Sequence, residues 1–154
     1  MAATGVQFIE QKEQRGTGHA IQCARNAISG YEHILVLSGD APLIKADTLQ
    51  HLMTLHLAHG AAMTILTAEP EDPTGYGRIV RRSQDLPEVE AIVEDKALTP
   101  AQQSIREINS GIYAFKVKPL LEHLDKLTHD HPDQKNAEQF SAARTCAKAD
   151  SHER

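Results

Sequence analysis

The chain has 154 residues, of which 40% are hydrophobic and 24% are charged, and its formal net charge is -5. This length and composition suit one globular domain with its own hydrophobic core, and they exclude a fibrous or disordered chain. The negative charge and the absence of a basic run argue against nucleic-acid binding. Because no long apolar run and no leader pattern is seen, we expect no membrane span and no signal peptide, and hence a cytoplasmic protein.

A short apolar segment at residues 6–9 predicts the first strand. The polar loop after it contains Gln11 and ends in Gly-Thr-Gly at 16–18, and apolar residues at helical spacing follow as far as Gly30. The loop therefore leads into a helix N-terminus, where exposed amide groups and glycines can admit a base or a phosphate. An ordinary turn before a helix is the alternative, and this pattern alone favours it.

The next element begins at His33 and has four consecutive apolar residues at 34–37, which lead directly into Ser38, Gly39 and Asp40. This pattern predicts a buried strand that ends in a tight turn. Ligands collect beyond the carboxyl ends of strands in an open parallel sheet, so Asp40 is a candidate to hold a metal or a ribose. Gly39 lets a ligand approach the backbone. The alternative is that Asp40 only forms the turn, because turns favour this residue type.

The middle of the chain alternates between helix and strand patterns. A helix is predicted from Asp47, as its N-cap, to about His59, with Gly60 as its end, and a strand follows at residues 61–68. This alternation predicts an α/β fold with right-handed crossovers and a largely parallel sheet. His56 and His59 lie one helical turn apart, but no third ligand is near in sequence, so we interpret them as solvated or core-edge histidines.

A segment rich in proline and glycine, residues 72–79, precedes the strand pattern at 78–81. Gly75 and Gly77 flank Tyr76, so backbone N–H and C=O groups are accessible there to an acetamido or hydroxyl group of a ligand. A plain hairpin loop is the alternative interpretation of the same residues.

Two polar residues stand at the boundaries of the next strands. Residues 89–93 alternate as a strand and lead to Glu94, whose carboxylate can accept two sugar hydroxyls or can pair with Lys96 on the surface. Residues 108–115 are typical of a turn that enters a strand. Asn109 offers a donor and an acceptor to a sugar, although asparagine is also a common turn former.

Five motifs occur in a fixed order between residues 11 and 127: Gln11 with residues 16–20, then residues 39–43, 72–78, 92–94 and 107–112. In this order they resemble the uridyltransferase domain of the bacterial bifunctional N-acetylglucosamine-1-phosphate uridyltransferase/glucosamine-1-phosphate acetyltransferase family. Five ordered motifs are far more specific than any one of them.

The resemblance implies a Rossmann-like nucleotide-sugar pyrophosphorylase fold with a mixed, mostly parallel sheet, and a requirement for Mg²⁺. It implies the reaction of UTP with N-acetylglucosamine-1-phosphate to give UDP-N-acetylglucosamine, a cell-wall precursor, and pyrophosphate. The sugar-phosphate oxygen attacks the α-phosphorus in line, so catalysis needs orientation and charge neutralisation without a protein nucleophile. The site residues implied by the motifs are Gln11, the Gly16 backbone and Thr17 at the uracil, Ser38 and Gly39 beside the nucleotide, Asp40 on Mg²⁺, and the Gly77 backbone, Glu94 and Asn109 at the N-acetylglucosamine group.

The chain also departs from the family pattern. No glycine-rich opening with its phosphate-binding arginine and lysine precedes Val6, and no second metal-ligand asparagine follows residue 137. The repeat-built acetyltransferase half, through which full-length family members oligomerise, is absent, and Ser38 stands where the family usually has an aromatic residue. Cys23 and Cys146 lie far apart in unlike contexts and predict reduced thiols without a disulfide or a metal pair.

The sequence therefore predicts a partial nucleotidyltransferase domain at residues 6–128, which closes with an amphipathic helix at 119–127, and a divergent, disordered tail at 129–154. Because the phosphate clamp is missing, we expect little turnover from this chain. Two alternatives stay open: an inactive module that binds a nucleotide sugar, and a pyrophosphorylase for another sugar or nucleotide.

Overall fold

A computed structural model describes residues 5–39, 43–83, 88–127 and 146–148. The helices in these ranges are α1 (Thr17–Cys23), α2 (Arg25–Ile28), α3 (Ala46–His59) and α4 (Val117–Leu127), with 3-10 turns at Asp95–Ala97 and Gln102–Ser104. The strands are β1 (His33–Val36), β2 (Met63–Ala68), β3 (Arg78–Arg81), β4 (Val89–Val93), β5 (Ile108–Lys116) and β6 (Cys146–Lys148).

Strand β5 is the centre of the sheet. It pairs antiparallel with β2 along one edge and with β1 and β3 along the other, and β4 and β6 extend the sheet beyond β3 and β2. The predicted α/β class is confirmed. The predicted mostly parallel pairing is wrong for the described strands, because the only parallel pair among them is β2 with β6. β1 and β2 do run in the same direction, as a crossover through α3 predicts, but β5 lies between them.

The helices pack on both faces of the sheet. Side chains alternate along β5, so Tyr113 and Phe115 face one hydrophobic cluster, and Ile112 and Ala114 face another. The first cluster is covered by apolar residues of α1, α2 and α4. The second cluster is covered by α3, through the fully buried Leu52. The fold is therefore a helix–sheet–helix sandwich.

Several elements of the structure differ from their prediction, either at their ends or in their burial. Residues 6–9 form no strand, because in the described ranges nothing pairs with them, and Phe8 is 95% exposed. The helix predicted up to Gly30 is interrupted at Ala24. β1 is only half-buried, with Leu35 37% exposed, because in the described part its backbone pairs with β5 alone.

At α3 the predicted start shifts and the predicted end is confirmed. The N-cap position is Lys45, without a side-chain cap, so Asp47 lies inside the first turn and is not the cap. Gly60 ends the helix with φ 59°, in the left-handed conformation that glycine adopts without steric cost. His56 is completely buried, and therefore differs from the predicted solvated or core-edge histidine, whereas His59 is exposed.

The strand at 89–93 and the last helix are present as predicted. The division between a domain at 6–128 and a tail at 129–154 stays a prediction. Within that tail, Cys146–Lys148 forms a strand beside β2, and the other tail residues lie outside the described ranges.

Candidate functional site

Asn109 is the residue around which the candidate site is built. Its backbone N–H donates to the Gly77 carbonyl at 2.8 Å, its side-chain Oδ1 accepts from the Gly111 N–H at 3.0 Å, and its Nδ2 donates to Tyr113 Oη at 2.6 Å. The side chain is half-buried, so part of it faces solvent. The amide is therefore held by two side-chain contacts and is accessible to a ligand.

A bulge in β5 produces this arrangement. Ile65 of β2 pairs with Tyr113 and Thr67 pairs with Asn109, so between these pairs one residue of β2 opposes three of β5. Gly111 lies in the bulge with φ 76°, a conformation that other residues rarely adopt. The bulge shortens the separation of Asn109 and Tyr113 along the sheet to the length of two residues of β2, which brings their side chains within reach of each other.

Gly77 lies against the strand that leads to Glu94. A side-chain carbon at position 77 would meet Ile92 Cγ2 at 3.1 Å and the Val93 carbonyl oxygen at 3.8 Å. The loop and β4 are therefore closely packed here, and any side chain at position 77 would displace Ile92 by a few tenths of an ångström. The same packing brings the two predicted sugar-binding segments together.

Arg78 makes the contacts that fix the proline- and glycine-rich loop before β3, called the glycine loop below. The residue is only 4% exposed, its Nε donates to the Ile105 carbonyl at 3.0 Å, and a terminal nitrogen lies 3.1 Å from an Asp95 carboxylate oxygen. Its other terminal nitrogen donates to the Tyr76 carbonyl. At the outer end of the loop, the Thr74 N–H donates to Asp72 Oδ1, and hydrogen bonds from Thr74 lower the pKa of the Asp72 carboxyl group. The loop conformation is therefore set by buried and local polar contacts.

Glu94 and Tyr113 add charge and a hydroxyl group to this region. Glu94 is exposed, and its carbonyl accepts a hydrogen bond from the N–H of Ala97 at 2.8 Å, across the turn Asp95–Ala97. Burial raises the pKa of the Tyr113 hydroxyl, the hydrogen bond from Asn109 opposes this, and the nearby negative charge of Glu94 raises the pKa further. Glu94, Asn109 and Tyr113 are therefore electrostatically coupled.

Ser38 reaches the same region from the end of β1. A side-chain carbon at position 111 would lie 3.5 Å from Ser38 Oγ, at ordinary contact distance, so Ser38 lies directly beside Gly111. Gly39, the next residue, is exposed. Asp40, predicted to hold Mg²⁺, lies outside the described residues.

The predicted uracil loop has its own hydrogen-bonded group. Gln11 Nε2 donates to the Gly16 carbonyl at 3.2 Å and to His19 Nδ1 at 3.0 Å. Gly16 is the N-cap of α1 with φ 93°, and the exposed Thr17 begins the helix. Cys23, a free thiol, contacts the other side of the His19 ring, with Sγ 3.8 Å from Nε2.

The residues around Gln11 and those around Asn109 belong to the same face of the sheet. Ile21 of α1, which follows the uracil loop, packs against the hydrophobic cluster that Tyr113 and Val36 also contact. The site residues thus come from loops and strand ends around one cluster. The roles assigned to them individually stay predictions.

Sequence reasoning missed Tyr113 and His19. Tyr113 stands four residues after Asn109, a spacing that only the bulge converts into a hydrogen bond. His19 was part of the Gly-Thr-Gly-His motif, but no pattern indicated that it would accept a hydrogen bond from Gln11.

No group of three or more His, Cys, Asp or Glu side chains in the described ranges is arranged to hold a metal ion. None of the helices in the same ranges has the length and apolar character that crossing a bilayer requires.

Comparison with known proteins gives consistent matches. A family model described as Nucleotidyl transferase matches residues 2–152. The chain is 59% identical to the bifunctional protein GlmU of Koribacter versatilis over 133 residues, which are 86% of this chain and 28% of that relative. It is 47% identical to GlmU of Alkaliphilus metalliredigens and 46% identical to GlmU of Corynebacterium efficiens, in each case over 127 residues and 82% of this chain. These two matches cover 27% and 26% of the relatives, so the chain spans about a quarter of their length.

Proposed function

Because the chain belongs to the nucleotidyl transferase family, we propose that its site serves the transfer of a uridylyl group from UTP to N-acetylglucosamine-1-phosphate, with release of pyrophosphate. The observation that carries this proposal is the 2.8 Å hydrogen bond from Asn109 N–H to the Gly77 carbonyl, which joins two of the predicted sugar-binding segments.

At the sugar end, the free hydrogen-bonding capacity suits an acetamido sugar. Asn109 keeps one N–H and one lone pair on its amide after its contacts with Gly111 and Tyr113 are counted. The Glu94 carboxylate is exposed and accepts hydrogen bonds from hydroxyl groups. An acetamido group presents an N–H and a carbonyl, and the sugar ring presents hydroxyls, so donors and acceptors match on both sides.

At the nucleotide end, the orientation of Gln11 favours uracil. Both hydrogens of Gln11 Nε2 are directed at protein acceptors, the Gly16 carbonyl and His19 Nδ1. The side-chain Oε1 is then the group that remains for a base, and it can only accept. Uracil presents an N3–H donor at its Watson–Crick edge, which can donate to this oxygen.

In this reaction the role of the site residues is to orient the two substrates. In-line attack by the sugar-phosphate oxygen on the α-phosphorus requires that the uracil and the sugar are each held by their own contacts, so that the reacting atoms are aligned. We assign Asp40 to bind Mg²⁺ because carboxylate oxygens are the ligands this ion prefers. When bound, Mg²⁺ would neutralise charge on the phosphates. The support for Asp40 is its place in the motif after β1.

The proposal is tested by calorimetry of the full chain with UDP-N-acetylglucosamine and with UDP-glucose. UDP-N-acetylglucosamine should bind at least about tenfold more tightly, because UDP-glucose lacks the acetamido group and leaves polar groups unpaired. Asn109→Ala should remove most of this preference, whereas Asn26→Ala, at an exposed position of α2, should leave it unchanged.

Two results would contradict the proposal. Equal affinity for the two nucleotide sugars would favour a pyrophosphorylase for another sugar. No binding of either compound, by a chain whose fold is verified by circular dichroism, would overturn the nucleotide-sugar assignment itself.

A further inference from the structure

Tyr113 has a place in the site that no sequence motif indicates. Its ring packs against the hydrophobic cluster and lies 5.5 Å, centroid to centroid, from the ring of Phe115. Its backbone pairs with Val36 of β1 and with Ile65 of β2. Strands on both sides and a core beneath the ring hold the hydroxyl group at one position.

Contacts with Gly111 and Tyr113 hold the two ends of the Asn109 side-chain amide. Nδ2 lies 2.6 Å from Tyr113 Oη, and Oδ1 lies 3.0 Å from the Gly111 nitrogen. If the amide were rotated by 180°, Nδ2 would face the Gly111 N–H, and two donors would oppose each other. The Gly111 N–H therefore selects the orientation of the amide, and the Tyr113 hydroxyl, which can donate or accept, restrains the position of the N–H side in that orientation.

The direction of this hydrogen bond also orients the tyrosine. Because Oη accepts a hydrogen bond from Asn109, its own hydrogen points elsewhere and can serve a further acceptor. The negative charge of Glu94 is near enough to raise the pKa of this hydroxyl group, so both polar side chains assigned to the sugar act on Tyr113.

We propose that Tyr113 is a positioning residue for sugar recognition, which holds the Asn109 amide so that its remaining N–H and lone pair point at the ligand in fixed directions. The proposal rests on the proposed function, since it presumes that Asn109 contacts the sugar of a nucleotide sugar. It adds a residue that acts through Asn109, and it explains why a half-buried tyrosine hydroxyl lies at this point of the sheet.

The first test needs no ligand and so does not depend on the proposed function. In NMR spectra of the free full-length chain, one side-chain N–H of Asn109 should exchange with solvent more slowly than those of the exposed Asn26. In Tyr113→Phe this protection should disappear, whereas Tyr31→Phe, at an exposed position, should leave it intact. Equal exchange of Asn109 and Asn26 in the wild-type chain would overturn the proposal.

The second test measures binding. Tyr113→Phe keeps the ring and removes only the hydroxyl, so affinity for UDP-N-acetylglucosamine should fall about 3- to 10-fold, the range expected for one lost hydrogen bond. Affinity for UTP should stay as in the wild type, because UTP lacks the sugar that Asn109 contacts. A drop for both ligands would indicate a merely structural role and would overturn the proposal.

A double-mutant cycle separates positioning from a direct sugar contact. In the Asn109→Ala background, Tyr113→Phe should have no further effect on affinity, because the group that Tyr113 orients is gone. Additive losses would contradict action through Asn109. Failure of the wild-type chain to bind the nucleotide sugar would refute the proposed function, while the ligand-free exchange measurement would still decide whether Tyr113 holds the Asn109 amide.

Discussion

Lowering the pH should destabilise the chain through His56, which is completely buried between α3 and the sheet. Its Nδ1 lies 2.8 Å from Thr64 Oγ1, and its Nε2 lies 2.9 Å from Nδ1 of His33 on β1. Burial, with smaller contributions from the positive charges of His33 and Lys116, lowers the pKa of His56 to about 4. A neutral imidazole donates through one nitrogen and accepts through the other, so the folded state can satisfy both partners without a proton.

The size of the effect follows from the difference in pKa between the two states. The pKa of an unfolded histidine is about 6.5, so between pH 6.5 and pH 4 the unfolded chain binds a proton that folded His56 does not. The stabilising contribution is present in full above pH ~6.5 and is lost as the pH falls towards about 4. At pH 5 the loss is ~2 kcal/mol, and at still lower pH it approaches ~3 kcal/mol.

Urea denaturation at pH 8 and pH 5 measures this change in the free energy of unfolding. His56→Gln should be less stable than the wild type at pH 8, because two buried hydrogen bonds are disturbed. The gap should shrink by ~2 kcal/mol at pH 5, since the variant lacks the titrating group. His59→Gln, at an exposed position on the same helix, is the control and should follow the wild type. If the gap between wild type and His56→Gln is the same at both pH values, the reasoning about His56 is wrong.

The remaining predictions concern the glycine loop and a half-buried ion pair. Gly77→Ala places a methyl group 3.1 Å from the side chain of a buried β4 isoleucine, so we expect a loss of about 1 to 2 kcal/mol in urea denaturation and weaker nucleotide-sugar binding by calorimetry. Gly60→Ala is the control: its φ of 59° strains alanine although the space around it is open, so it should cost about 1 kcal/mol and leave the affinity unchanged. If Gly60→Ala also weakened nucleotide-sugar binding, the effect of Gly77→Ala would not be specific to the glycine loop. Glu107→Ala removes the carboxylate that Arg81 Nε contacts at 2.7 Å and should cost about 2 kcal/mol, whereas Glu13→Ala, in an exposed pair, should cause no measurable change. Equal effects of the two glutamate variants would show that burial does not strengthen the pair.

Local sequence patterns were sufficient for most elements and for the family. Gly60 ends α3 because the left-handed conformation needs glycine, and the alternation at 89–93 produced β4. Both are short-range effects that a sequence displays directly. The five ordered motifs indicated the nucleotidyltransferase relationship that the comparisons confirm, since the order of several motifs is a property of the chain alone.

Long-range pairing was not accessible in the same way. The helix and strand rhythm predicted that β1 and β2 point in one direction, which they do, but it carried no information that β5 lies antiparallel between them. The apolar residues at 6–9 looked like a strand, yet a strand needs a partner, and Phe8 finds neither a partner nor a core in the described part of the fold. Which strands become neighbours depends on the packing of the whole sheet, so a local sequence pattern does not reveal it.

The sequence by itself supplied the candidate site residues: the Gln11 loop, Gly77, Glu94 and Asn109 were all named from motifs. Only the tertiary structure decided how they are held, because the bulge at Gly111 brings Tyr113 Oη to the Asn109 amide and the sheet brings His56 against His33. A motif records residues that are close along the chain. Hydrogen bonds between side chains, and the burial that shifts the pKa of His56, depend on distances that exist only after the strands and helices have packed.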